Sequence, residues 1–99
     1  MQMQMDDLES LQRELAELDA TLADRREFED RLSNVVEGGE LDDEARHDLD
    51  QFGGDRERLN EEYETRLFRM LTDTERLEEQ RADLVRQLRR LARAVEMAR

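Results

Sequence analysis

Cysteine and proline are absent from the 99 residues, and all 16 basic residues are arginine, with no lysine among them. Each absence removes a class of protein. Without cysteine there are no disulfides, no thiol catalysis and no cysteine-held metal. Without proline nothing forces a helix to stop. The four glycines fall in two pairs, Gly38-Gly39 and Gly53-Gly54, so the stretches outside them are free to be helix. Aromatics are only 4% of the chain and tryptophan is missing. No segment approaches the roughly 18 uninterrupted apolar residues that span a membrane. The opening residues, Met1 to Ser10, have neither the basic start nor the apolar run of a secretory signal, which makes a cytoplasmic location the expectation.

What remains is charge and leucine. Charged residues fill 44% of the chain and hydrophobic ones 36%, in a length that suits one domain. That mixture supplies narrow seams between helices and not a wide globular core. The 28 acidic residues against 16 arginines leave a net charge of −12. A GC-rich genome accounts for arginine in place of lysine but not for this excess of acid, which matches the surface of a salt-adapted, halophile-like protein. Low hydrophobicity with high net charge is also a signature of disorder. Sustained heptads argue instead for helices whose folding is coupled to oligomerisation.

The first heptad series covers a helix expected over about 6–36. Leu8, Leu15 and Leu22 take a positions, and Leu11 and Leu18 take d positions. Arg25 and Glu29 interrupt the seam before Leu32 and Val36 resume it, with Phe28 and Val35 beside it. A second series follows Asp55, a plausible N-cap, over about 55–97. Its d positions are Tyr63, Met70, Leu77, Leu84, Leu91 and Ala98; its a positions are Asn60, Leu67, Thr74, Arg81, Leu88 and Val95. Phe68, Leu71, Val85 and Ala92 add an apolar shoulder beyond what a two-stranded seam needs, which points to a bundle or a further helix. Between the glycine pairs, Leu41, Ala45, Leu49 and Phe52 recur at helical spacing, predicting a short amphipathic helix over about 41–52.

Folding the chain back on itself lays these seams antiparallel. Residues 1–55 carry 18 acids and 5 arginines, net −13; residues 56–80 carry 8 and 5, net −3; residues 81–99 carry 2 and 6, net +4. A hairpin therefore sets the basic end against the acidic start. With the turn over the glycine-flanked middle, Leu8 pairs with Leu84, Leu15 with Leu77 and Leu22 with Met70. Glu29 then falls beside Tyr63, and Leu11 beside Arg81. A one-heptad slide that matches Arg25 with Asn60 and Glu29 with Arg56 draws Gly53-Gly54 into a helix, at about 1 kcal/mol per glycine. The first register is preferred.

Few residues carry candidate chemistry. Glu44 and His47 have the Glu-x-x-His spacing that di-iron bundles use, but two fixed residues in a glutamate-rich chain read better as an exposed histidine, and no metal or other cofactor is expected. The basic amphipathic end, with Arg86, Arg89, Arg90 and Arg93, is suited to partner acids or to phosphate. It lacks the lysines and stacking aromatics of nucleic-acid binders, so nucleic acid is the lesser expectation. The polar seam residues Arg25, Glu29, Asn60, Thr74 and Arg81 either fix register and oligomeric state or mark a groove for another helix. Gln51-Phe52-Gly53-Gly54 resembles the Trp-x-Gly bend of a family of small secreted helical hairpins, and the hairpin outline is similar to prefoldin subunits. The phenylalanine, unequal arms, missing export signature and missing β-prone segments leave both families unassigned.

The sequence thus predicts an all-α antiparallel coiled-coil hairpin with a short helix at the bend, oligomerising into a helix bundle, most simply as a dimer. The expected function is that of a non-enzymatic scaffold or adaptor, since no serine–histidine set, phosphate-binding glycine loop or sheltered carboxylate pair is present. The alternative is a small DNA-associated or regulatory protein using the basic C-terminal helix. The expected interaction seam is Leu8, Leu11, Leu15, Leu18 and Leu22 with Tyr63, Leu67, Met70, Leu77, Leu84, Leu88, Leu91 and Val95. The shoulder at Val85, Leu88, Ala92 and Val95 is the expected partner face.

Overall fold

The computed structural model describes residues 2–98, with side chains from residue 6 onward. Three helices follow one another: α1 over Gln2–Val36, α2 over Asp43–Gln51 and α3 over Arg56–Met97. No strand occurs among the described residues. The fold is an all-α helical hairpin in which α1 packs against α3. The chain divides into two compact units, Met1–Asp24 with Thr74–Arg99, and Arg25–Asp73.

The unit containing the bend is built around both glycine pairs. At the end of α1, the Gly39 amide donates to the Asn34 carbonyl (2.8 Å) and the Gly38 amide to Val35 (3.1 Å), with Gly38 at φ +89°. At the end of α2, Gly54 donates to Leu49 (2.9 Å) and Gly53 to Asp50 (3.0 Å), with Gly53 at φ +67°. These are two Schellman terminations, in which a left-handed residue lets the chain reverse and satisfies the last carbonyls. Side chains cap the starts. Asp42 Oδ1 accepts from the Ala45 amide (2.9 Å), and Asp55 Oδ1 accepts from the Glu57 amide (3.1 Å). Such caps satisfy amides that the first turn of a helix leaves orphaned.

Within these punctuation marks α2 lies in the corner between the end of α1 and the start of α3. Leu32 and Val35 of α1, Ala45 of α2, and Leu59 and Tyr63 of α3 form the buried cluster, with Leu41, Leu49, Phe52, Leu67 and Met70 packed around it. Ala45 is 1% exposed and Leu59 fully buried. Leu59 sits at a g position, off the two-stranded seam, and is buried because α2 closes over the corner. A third helix widens the apolar stripe from two heptad positions to three.

The other unit pairs the first part of α1 with the last part of α3. Leu22 and Leu84 are buried in it, while Leu8, Leu11, Leu15, Leu18, Leu77, Leu88, Leu91 and Val95 are half-buried. A two-helix seam leaves each leucine one flank in water, which is why this unit has few fully buried side chains.

The register differs from the sequence expectation. Arg81 Nε meets Asp19 Oδ1 at 2.5 Å in one unit, not Leu11 as the preferred alignment had it. In the other, Arg25 Nη1 lies 3.7 Å from Asp73 Oδ2. Leu18 shares a shallow groove with Leu77 and Leu84. By heptad spacing, Leu15 stands level with Leu84 and Leu22 with Leu77. The helices are slid by one heptad, in the opposite sense to the alternative weighed from the sequence. The bend supplies the reason. The first turn of α3 overhangs the end of α1 so that α2 can pack on both, and the Arg56 guanidinium reaches back to the Val35 carbonyl (3.0 Å) and the Gly39 carbonyl (3.2 Å). A cation on the last carbonyls of a helix is favoured by both hydrogen bonding and the helix dipole.

Candidate interaction surface

The seam residues expected from sequence fall into both units. Leu8, Leu11, Leu15, Leu18, Leu22, Leu77, Leu84, Leu88, Leu91 and Val95 belong to one; Tyr63, Leu67 and Met70 belong to the bend unit, where Tyr63 is buried and the other two half-buried. Their side chains are used between helices of the same chain. Most of them keep one flank in water, and the more exposed apolar side chains lie off the seam.

Around the bend, two ionic clusters fix α2. Arg31 of α1 donates from Nε to Asp42 Oδ2 and from Nη2 to Glu44 Oε2, both at 2.9 Å, and its guanidinium lies 5.4 Å from the Phe28 ring centre. The two carboxylates raise the pKa of Arg31, with Glu44 the larger influence. The Asp42 carboxyl is held below its ordinary pKa, first by the Ala45 amide and then by Arg31. On the opposite flank the Tyr63 hydroxyl donates to Asp48 Oδ2 at 2.6 Å, and Arg66 stands 3.7 Å from the same oxygen with its guanidinium over the Tyr63 ring. Burial, reinforced by that hydrogen bond, pushes the phenol pKa well above its ordinary value. These groups pair with one another across the three helices and orient α2 against its neighbours.

Glu44 is engaged by Arg31, and His47 is exposed. Among the described residues no group of three or more histidines, cysteines or carboxylates is placed to hold a metal ion. No helix of the described residues is long and apolar enough to cross a membrane.

Two outward faces stand apart from this internal pairing. Arg86, Arg89, Arg90 and Arg93 on α3 are all exposed. Arg86 pairs with Asp83 one turn away, whereas Arg89, Arg90 and Arg93 have no ionic partner among the described residues. In the bend unit, Phe68 is 73% exposed and Leu71 46%. Glu61, Glu64, Thr65, Phe68 and Arg69 line a shallow groove along the outer side of α3. Glu61 and Glu64 also lack an ionic partner among the described residues.

The shoulder expected to receive a partner is placed unevenly. Val85, Leu88 and Val95 are half-buried and only Ala92 is exposed, so the larger free apolar surface is at Phe68 and Leu71. Both were visible in the sequence as additions to the seam. Which of the shoulder residues α1 would cover depended on the register.

Compared with known proteins, the chain matches no protein-family model, no curated protein and no solved structure.

Proposed function

We propose that this chain is a non-enzymatic scaffold or adaptor that self-associates and recognises other helices through outward faces of its own. It works in the cytoplasm, with an acidic surface adapted to high salt. The observation that carries this reading is the pair Phe68 and Leu71, large apolar side chains left in water on α3 while the leucines of the seam are used internally. Helix-in-groove recognition uses apolar anchors spaced three and four residues apart in this way. The polar clusters support the same reading, since Arg31, Asp42, Glu44, Asp48, Tyr63 and Arg66 satisfy each other and hold α2.

Light scattering coupled to size exclusion, at low and at molar salt, tests it. A mass twice that of the chain is expected at molar salt, with a shift toward monomer at low salt where net charge repels. A monomer at every salt and concentration sinks the proposal.

A second reading rests on Arg89, Arg90 and Arg93, exposed and without ionic partners among the described residues. Such a face suits phosphate, and the chain would then be a small DNA-associated or regulatory protein. A duplex retarded at moderate salt by the native chain, but not after Arg86, Arg89, Arg90 and Arg93 are replaced, would establish it over the first.

A further inference from the structure

We infer that the Phe68 groove is the docking site for the arginine-bearing end of α3 from a second copy of this chain. This rests on the self-association reading and adds to it which surfaces meet. Along the outer side of α3 in the bend unit the order is Glu61, Glu64, Phe68, Leu71: two acids, then two apolar side chains. Among residues 82–93 the order is Ala82, Val85, Arg89, Arg93: two apolar side chains, then two bases. Both rows follow helical spacings of three and four, so each forms a stripe on one face.

Run antiparallel, the stripes match along their length. Phe68 meets Val85, Leu71 meets the small Ala82, Glu64 meets Arg89 and Glu61 meets Arg93. The acids and bases concerned are exposed and lack ionic partners among the described residues, so docking breaks no existing pair. Parallel docking would bring Glu61 and Glu64 to apolar neighbours and leave both arginines against Phe68 and Leu71. Charge order over these two stripes favours antiparallel over parallel docking, and burial of Phe68 supplies the driving force that offsets the approach of Glu75 to the second copy's Glu78 midway between them. Arg69, also in the groove, lies on its edge one residue beyond Phe68.

The test uses the full chain in about 0.15 M salt, where charges closer than roughly 8 Å still attract. Sedimentation equilibrium is measured for the native chain, for Phe68→Ser, Glu64→Arg and Arg89→Glu, and for the double variant carrying both charge changes. Each single variant is expected to weaken the dimer at least about tenfold, and the double exchange to restore it to within about threefold of native. Circular dichroism confirms that helix content is unchanged. All three positions are outside the seam, and Glu64→Arg keeps the test open if Phe68→Ser lowers solubility. A native dimer indifferent to every variant, or a double variant as weak as the singles, overturns this docking mode while leaving self-association intact. A native chain that is monomeric at about 0.15 M salt overturns this docking mode, and one that stays monomeric at molar salt overturns both.

Discussion

Tyr63 sits at a d position of α3 with 5% of its surface exposed, and its hydroxyl reaches Asp48 on α2. With no lysine, no cysteine and one tyrosine in the chain, Tyr63 is the only side chain with an ordinary pKa near 10. Its folded pKa is raised, so the stability it contributes is fully present below about pH 10 and is lost as pH rises through the folded value. Chemical unfolding followed from pH 8 to 12 is therefore expected to show a loss beginning near pH 10. In Tyr63→Phe that slope should vanish, and stability at neutral pH should fall by about 1–2 kcal/mol for the lost hydrogen bond to a carboxylate. Equal alkaline slopes in both proteins would show that the phenol is not buried. Arg56 is the counterpart on the other side of the bend. Replacing it by Met keeps the apolar stem but strips the Gly39 carbonyl of its side-chain donor and leaves the Val35 carbonyl with the Gly38 amide alone. A loss of about 2 kcal/mol is expected in urea unfolding, against a few tenths for Arg13→Met at an exposed site.

At the scale of elements, both terminations rest on glycines that hold positive φ, Gly38 at +89° and Gly53 at +67°. A Cβ at either position meets no neighbouring atom within 4 Å, so the cost of alanine is backbone strain and not collision. Gly38→Ala and Gly53→Ala should each destabilise the chain by about 1 kcal/mol. Native-state hydrogen exchange should show α2 opening more readily in Gly53→Ala; unchanged protection of Ala45 to Gln51 would contradict this assignment. These glycines were legible in the sequence because a Schellman turn is local, as was Asp55 as a cap. The seams were legible for the same reason, through a seven-residue repeat. The register was not. It depends on where α2 packs, and the residues that decide it, Leu59 at a g position and Arg56 capping carbonyls 17 and 21 residues away, carry no local signal. The outward face was legible in part. Phe68 and Leu71 stood out as surplus to the seam, while the charge order beside them acquires meaning only once the seam residues are known to be occupied. Since the chain has no native cysteine, the register can be read directly. A short thiol crosslinker should join Asp19→Cys to Arg81→Cys efficiently and Leu11→Cys to Arg81→Cys poorly; the reverse preference would restore the register expected from sequence.

At the scale of the whole molecule the dominant quantity is the net charge of −12, concentrated in the first 55 residues. The ion pairs seen between helices, Asp19 with Arg81 and Arg25 with Asp73, are partly solvent-exposed and help to choose the register more than they hold the fold. Salt screens these attractions, but it also screens the repulsion that comes with 28 acids against 16 arginines. Repulsion wins in this balance, so added salt should stabilise the chain. Screening length falls from about 30 Å at 0.01 M to about 10 Å at 0.1 M and about 3 Å at 1 M. Most of the electrostatic gain should therefore arrive below a few tenths molar. Strengthened burial of apolar surface, the other route by which salt stabilises, grows at higher concentrations and depends on the anion. A thermal midpoint that climbs steeply in sodium chloride up to about 0.3 M, equally for chloride and sulfate matched in ionic strength, identifies relief of charge repulsion. A midpoint flat over that range and rising only above it, more in sulfate than chloride, would mean that the acidic surface does not govern stability.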